Sequence, residues 1–386
     1  MTQRFIIRFL PASDAQSIEA QWDRLYENDP EANFFLSRAF LTPVFSRYTE
    51  AGAFGCFRDD ELVGLLPTIT ETVWDRKKSC YRTEFRMAGA KHWADYCGFL
   101  IDQRFANEVL DSFAWHFMNS GWARIRFRNL KMSKDRQNRF FSHFDQNIFG
   151  VRDVQKMING GTTNNLICPV IELPDNFDSF VDALSKNNRK KMRKHLRRVQ
   201  EGEYRIHLGT KDNLGDFERM WISQWSAKPD AAKLARRYAL IIKAGLENGT
   251  VRMPILSDGQ GHILGLICNF HDEVRKDIGV YVSARDSDAG SIPIALILHG
   301  DAIRSAIAEG YQTYDFLRGD EQYKFDMGAE PQFIRYCVLR RRSGAPISDL
   351  MSRLSCRGVL REIPKLTGSE DAGRLNAACM QLSQFL

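Results

Sequence analysis

The chain has 386 residues, of which 44% are apolar, and this is enough to form the cores of two domains and does not suggest disorder. Its formal charge is +6, yet eight basic residues lie between positions 186 and 198 without an acid, so the basic character is local and does not indicate a general DNA-binding surface. Eight scattered cysteines without a Cys-x-x-Cys pair, and no apolar run near the roughly 20 residues of a membrane span, favour a soluble, cytoplasmic protein.

The first half of the chain predicts an alternation of strands and helices. Apolar periodicity indicates a strand, two helices, a β-hairpin, two strands, a helix and a strand at residues 4–10, 13–26, 34–48, 53–57 with 62–70, 82–88, 95–101, 105–119 and 123–130. The second half predicts the same order of elements, at residues 204–208, 214–225, 232–247, 252–256 with 263–270, 278–282, 291–309, 313–317 and 332–340.

This repeated order predicts a pseudo-duplicated α/β protein. We expect an N-terminal half at residues 1–165, a C-terminal domain at residues 166–342 and a helical tail at residues 343–386. The repeat concerns the order of elements and not residue identity. We assign no chemistry to the tail.

The loop between the predicted strand 278–282 and the helix that follows is a candidate anion site. We expect the helix to begin at Ser291, whose N-terminus would expose backbone N–H groups and a positive dipole end. The small residues Ala289, Gly290 and Ser291 would let a pyrophosphate approach the backbone, and Arg285 would add a cation. The alternative is an ordinary strand-to-helix loop.

Three segments resemble a known family. The loop is similar to the Arg/Gln-x-x-Gly-x-Gly/Ala loop of GNAT acyltransferases at Arg285 and Gly290, with Asp288 at a usual glycine position. The segment Tyr314–Lys324 resembles the signature of the CelD/BcsL-like branch, related to FemAB transferases, and Leu184–Lys194 is similar to the basic helix of that branch. The resemblance implies a tandem GNAT-like α/β fold, with two mixed twisted sheets flanked by helices. It also implies acyl-CoA as cosubstrate and a setting in exopolysaccharide, cellulose or cell-envelope biosynthesis.

Three residues of the second segment are catalytic candidates. Transfer of an acyl group from a thioester expels a thiolate, which the hydroxyl of Tyr323 would protonate or stabilise. Asp315 or Asp320 would serve as the general base if burial raised its pKa. The alternatives are a packing tyrosine, a hydrogen-bonded structural carboxylate and a helix cap.

Four basic residues are substrate-binding candidates: Arg318 and Lys324 near the signature turn, and Arg189 and Arg193 on the basic helix. The helix, residues 187–200, would face an anionic acceptor, an acyl carrier, the CoA 3′-phosphate, a tRNA end or an anionic membrane. A solvated charged face is the alternative. No metal is predicted, because no histidine pair has helical metal-ligand spacing.

The sequence therefore leaves three functions open. The first is a GNAT-type acyltransferase that passes an acyl group from acyl-CoA to an amine or hydroxyl of a small-molecule or polysaccharide-precursor acceptor in one ternary complex. The second is a FemABX-type transferase that uses aminoacyl-tRNA to extend a peptide. The third is a non-catalytic scaffold, in which side chains would fill the groove between the separating strands near Gly290 and Tyr323.

Overall fold

The computed structural model describes residues 5–48, 50–77, 79–91, 93–342, 358–360, 363–364 and 372–383. The chain forms two compact units. The first consists of residues 1–155 and 334–386, and the second of residues 156–333. The second unit is therefore one continuous segment that is inserted into the first.

The helices lie at α1 Glu19–Asn28, α2 Arg38–Phe45, α3 Ala106–Asn119, α4 Lys134–Ser142, α5 Phe177–Ala183, α6 Lys186–Gln200, α7 Leu214–Gln224, α8 Ala231–Glu247, α9 Ile294–Ala308, α10 Gln322–Asp326 and α11 Ala372–Ser383. The strands lie at β1 Phe5–Pro11, β2 Ala51–Arg58, β3 Glu61–Asp75, β4 Cys80–Met87, β5 Leu100–Ile101, β6 Arg124–Leu130, β7 Phe149–Asp153, β8 Met157–Ile158, β9 Thr163–Asn164, β10 Ile167–Glu172, β11 Tyr204–Leu208, β12 Val251–Arg252, β13 Pro254–Asp258, β14 Ile263–Asp272, β15 Asp277–Arg285, β16 Thr313–Asp315, β17 Glu330–Phe333 and β18 Arg335–Arg341.

In the first unit, the described strands form a sheet in the order β1-β2-β3-β4-β6-β18-β7, with β5 paired to β3. The pairings are antiparallel except that between β4 and β6, which is parallel. Alternate residues of these strands point to a core of aromatic rings, where Phe54 packs edge-on against Phe85 and against Phe117 of α3, with centroids 5.2 Å apart in both pairs.

In the second unit, the described strands of the large sheet run β11-β13-β14-β15-β16-β10-β17, with β12 paired to β14. Here too one pairing is parallel, that between β15 and β16. Each position in this sheet has a counterpart at the same place in the first sheet. The expected duplication, two mixed sheets flanked by helices, is therefore confirmed.

The strand expected at residues 332–340 is in fact two strands that belong to different sheets. β17 pairs with β10 in the second unit, whereas β18 pairs with β6 and β7 in the first, where Leu339 lies opposite both Ile125 and Val151. The observed boundaries at 155/156 and 333/334 consequently differ from the expected 165/166 and 342/343. In the expected tail, Ala378 of α11 belongs to the same apolar cluster as Tyr81 of β4, so α11 packs in the first unit. Residues 343–357 lie outside the described part of the chain.

Close contact between α6 and α9 orients α9 under its sheet. A Cβ atom at Gly300 of α9 would lie 2.4 Å from the sulfur of Met192 on α6, so a larger residue would require the Met192 side chain to shift. Met192 and Leu196 then pack with Ile303 and Tyr314 in one apolar cluster. This contact orients the N-terminal turn of α9, which forms part of the site described next.

The start of α9 differs from the expectation. The helix begins at Ile294 and not at Ser291, because Pro293 occupies the N-cap position and no side chain caps the first turn. The loop between β15 and α9 therefore covers residues 286–293 instead of the expected 283–290, and no side chain caps the first N–H groups of the helix.

Candidate active site

A cavity of about 460 Å³ lies within the second unit. Its walls come from four helices, two strands and the loop before α9, through Asn188, Lys191, Gln224, Leu266, Ile267, Ser283, Ala284, Arg285, Ile292, Pro293, Ile294, Ala295, Leu296, Leu298, His299, Tyr323, Asp326 and Met327. Apolar walls with a few convergent polar groups are typical of a small-molecule site. The groove near Tyr323 is therefore open, whereas the scaffold hypothesis expects it to be filled by side chains.

The cavity forms where two parallel strands separate. β15 and β16 pair over only three positions, from Asp277 opposite Thr313 to Gly279 opposite Asp315. β16 ends there, whereas β15 continues to Arg285. The last residues of β15 therefore have no strand neighbour on that side, and Ser283 and Arg285 line the cavity.

The first turn of α9 forms the part of the wall suited to an anion. Ala295 and Leu296 line the cavity, and their N–H groups precede the first intrahelical hydrogen bond, from the N–H of Ile297 to the carbonyl of Pro293. Such N–H groups and the positive end of the helix dipole attract negative charge. Arg285 and Lys191 add two cations to the same cavity.

The structure places Arg285 in the cavity but not the three small residues of the predicted anion loop. Ala289 packs against an apolar cluster beside α9, while Gly290 and Ser291 are exposed. Gly290 has φ 63°, and a side chain there would meet no atom within 4 Å. An anion in the cavity would thus lie beside the first turn of α9 and not beside Ala289, Gly290 and Ser291, which do not line the cavity.

Tyr323 lies on α10 and lines the cavity, with 42% of the residue exposed. Its ring stacks on His299 at 6.1 Å between centroids and meets Phe316 edge-on at 6.0 Å. Burial, and then the negative charge of Glu321, raise the pKa of Tyr323 above its usual value. The side chain is therefore a neutral phenol at physiological pH, able to donate a proton.

His299 of α9, which the sequence analysis did not select, is a member of the candidate site. It is 1% exposed, lines the cavity, and its Nδ1 lies 2.8 Å from the hydroxyl of Tyr314. Burial, and then the charge of Lys324, lower the pKa of His299 to about 3, so the ring is neutral. Asn269 also forms a side-chain hydrogen bond with Tyr314.

Asp315 and Asp320, the predicted general bases, both accept hydrogen bonds from backbone N–H groups. Asp315 is buried, and its carboxylate accepts the N–H of Leu317 at 2.7 Å. Asp320 accepts the N–H of Asn164, also at 2.7 Å. Neither lines the cavity, so neither is placed to take a proton from an acceptor bound there. The carboxylate that does line it is Asp326, which the sequence analysis did not select.

Lys324 was predicted to bind substrate, but it is 4% exposed and bonded to its own chain. Its Nζ donates to the carbonyls of Arg318, at 3.0 Å, and Gly319, at 2.9 Å, and pairs with Glu321 at 2.9 Å. Arg318 does not line the cavity either. The Lys324 side chain thus contacts the turn that precedes Tyr323 and does not line the cavity.

The basic helix α6 is less unbalanced than its sequence suggested. Arg189 and Arg193 both pair with Asp182 of α5, at 3.6 and 2.7 Å, and neither lines the cavity. The face of α6 that does line it presents Asn188 and Lys191, and the Asn188 amide also donates to the carbonyl of Asp326 at 2.7 Å. Lys191 is therefore the basic residue of α6 that lines the candidate cavity.

Residues 186–325 match the family model described as an acetyltransferase (GNAT) domain. The second unit carries a GNAT-like domain. Together with the repeated strand order, this confirms the tandem GNAT-like fold, whereas nothing in the comparisons supports the CelD/BcsL branch. No curated protein matches the chain.

Solved structures share the fold at low sequence identity. FemX is 11% identical, with 83% of this chain and 95% of that chain covered and a TM-score of 0.61. L-PGS from Bacillus licheniformis is also 11% identical, covering 90% and 97%, with a TM-score of 0.51. A conserved protein of unknown function from Bacteroides thetaiotaomicron VPI-5482 is 14% identical, covering 87% and 99%, with a TM-score of 0.50.

Two kinds of feature are absent from the described residues. None of their helices combines the length and the hydropathy needed to span a bilayer. No group of three or more His, Cys, Asp or Glu side chains among them is arranged to hold a metal ion.

Proposed function

We propose that this protein is an acyl-CoA-dependent N- or O-acyltransferase that transfers the acyl group directly to its acceptor. One observation carries the proposal: the cavity opens where β15 and β16 separate, and it combines an uncapped helix turn with a neutral tyrosine. The first feature suits the phosphates of a cosubstrate, and the second suits a leaving thiolate. The GNAT match of residues 186–325 supports the same chemistry.

Binding of the donor is assigned to the first turn of α9. The pyrophosphate of CoA would accept hydrogen bonds from the N–H groups of Ala295 and Leu296, and Arg285 and Lys191 would balance its charge. The apolar wall at Leu266 and the other aliphatic residues would hold the acyl chain and the pantetheine arm.

The transfer needs one nucleophile, one base and one acid. The acceptor amine or hydroxyl attacks the thioester carbonyl, a C–N or C–O bond forms and the C–S bond breaks. The Tyr323 O–H gives its proton to the departing sulfur, and the acceptor's proton passes to Asp326 or to water. A proton returned from solvent restores Tyr323. The stacked, neutral ring of His299 holds the phenol in place.

A matched pair of substitutions at Ala295 tests donor binding. Ala295 is exposed in the first turn of α9, so Ala295→Glu should leave the fold intact, because an acid there favours the helix dipole. It should nevertheless repel the phosphates and remove the thermal stabilisation by acetyl-CoA that the wild type and Ala295→Gln show. If the wild type gains no stability from acetyl-CoA, longer acyl-CoAs or free CoA, the proposal is wrong.

A second candidate is aminoacyl transfer from tRNA, for which the structural likeness to FemX is the specific observation. Exposed lysines of α6 at 186, 190, 191 and 194 would contact the RNA backbone. Saturable binding of aminoacyl-tRNA that weakens steeply with salt, together with no response to CoA compounds, would favour this function. The setting in exopolysaccharide or cellulose biosynthesis rests on the resemblance of Tyr314–Lys324 alone.

A further inference from the structure

A second cavity, of about 310 Å³, lies wholly within the first unit. Alternate residues of β4 and β6 line it, because Glu84, Arg86, Arg126 and Arg128 point away from the aromatic core that takes Phe85. Glu71 of β3 and Lys91 complete its charged lining. This set contains four cations and two carboxylates, so its formal charge is 4 − 2 = +2.

The two carboxylates are already paired. Glu71 binds Arg86, and Glu84, which is 1% exposed, binds Arg126 at 2.9 Å and has Arg124 at 3.6 Å. The Arg126 guanidinium also donates to the hydroxyl of Tyr336 from β18. Even with these contacts, the Nε–H of Arg86 is a buried donor without an acceptor.

The positive charge in this cavity is electrostatically costly as it stands. Burial lowers the pKa of Arg86, and the neighbouring charges of Arg126 and Arg128 lower it further. Like charges held together in a partly buried site repel one another, and an unmet buried donor costs stability. A bound anion would relieve both effects.

We propose that this cavity binds a phosphate monoester carried on a small polar group, such as a hexose phosphate. Guanidinium groups match phosphate oxygens with paired hydrogen bonds, and a phosphate monoester carries close to two negative charges at neutral pH, against one for a carboxylate. The volume exceeds that of a bare phosphate, and Glu71 and Tyr336 offer acceptors and a donor for hydroxyl groups. The site belongs to the first unit, so it does not depend on acyl transfer in the second.

Calorimetric titration of the full chain tests the proposal. We expect saturable binding of glucose 6-phosphate, weaker binding of inorganic phosphate and no binding of glucose. Arg86→Gln should weaken the binding of glucose 6-phosphate about tenfold or more, because it removes a charge-assisted contact. Glu71→Gln should strengthen it, because it removes a negative charge from the lining. The control Arg139→Gln changes an exposed arginine of α4 that pairs with Asp111, and it should have no effect.

Three outcomes overturn the proposal. The first is no saturable binding of glucose 6-phosphate, and the second is equal binding by the wild type and a folded Arg86→Gln variant. The third is loss of binding in Arg285→Gln, which would place the phosphate in the second unit. If Arg86→Gln fails to fold, Glu71→Gln decides alone, and unchanged or weaker binding in that variant contradicts the proposal. Loss of CoA binding, by contrast, concerns only the proposed acyl transfer.

Discussion

Replacement of Tyr323 by phenylalanine removes one hydroxyl from the candidate active site and little else. The ring would keep its stacking on His299 and its edge contact with Phe316. No protein group among the described residues hydrogen-bonds the hydroxyl. We therefore expect the free energy of unfolding to change by less than about 0.5 kcal/mol, since no buried partner is left unsatisfied.

The effect on catalysis should be far larger. A positioned general acid contributes about 10²–10⁴ to the rate, which corresponds to about 3–5 kcal/mol of transition-state stabilisation. If the Tyr323 hydroxyl protonates the leaving thiolate, kcat should fall by that factor while KM for acyl-CoA changes little. Because the pKa of Tyr323 is raised, the wild-type kcat should show no alkaline loss from this group until the pH is well above 10.

The assay is release of CoA thiol, followed with a chromogenic thiol reagent across acyl-CoA and acceptor concentrations. A matched control is Tyr204→Phe, which removes a hydroxyl from a buried tyrosine of β11 that does not line the cavity. It should leave kcat unchanged. A less than threefold loss of kcat in a folded Tyr323→Phe variant would refute the reasoning, and Tyr323 would then be a packing residue.

Three further predictions concern stability. Because the pKa of His299 is lowered to about 3 from 6.5, the unfolded chain binds a proton that the fold excludes, and stability is lost as the pH falls below 6.5. Urea titrations at pH 7.5 and 5.0 should show that the free energy of unfolding falls by about 2 kcal/mol less in His299→Gln than in the wild type over this pH interval. An equal fall in both proteins would mean that His299 is not responsible for the pH dependence. Lys324→Met should lower the free energy of unfolding by about 3–5 kcal/mol in the same assay, since it leaves Glu321 and two carbonyls unpaired, and a near-neutral result would contradict the structural role. Gly300→Val should cost about 1–3 kcal/mol through collision with Met192, and a wild-type melting temperature would show that α6 moves freely.

The elements that the sequence predicted well are those held by local contacts. The hairpin of β2 and β3 and the helix α3 lie close to their expected bounds. Their apolar residues alternate or recur at helical spacing within a short stretch of sequence, so the local pattern is enough to predict them. The division of residues 330–341 between two sheets was missed. Nothing in the local pattern shows that β18 pairs with β6, some 200 residues earlier in the chain.

The site shows the same limit. Tyr323 and Arg285 were predicted from a strand, loop and helix that are close along the chain, and both line the candidate cavity. Asn188, Lys191 and Asp326 also line it but were not predicted, since only the packing of α6 and α10 brings them there. Asp315 and Lys324 do not line it, and both bond to backbone groups instead.

The position of β18 also bears on how the protein is made. During translation the second unit, residues 156–333, leaves the ribosome as one continuous segment and can complete its sheet at once. The first unit can complete its sheet only after the second unit has been synthesised, although its N-terminal residues emerge earlier. The reason is that β18, residues 335–341, lies between β6 and β7 and pairs with both. The first unit therefore begins to emerge before the second unit but completes its sheet after it.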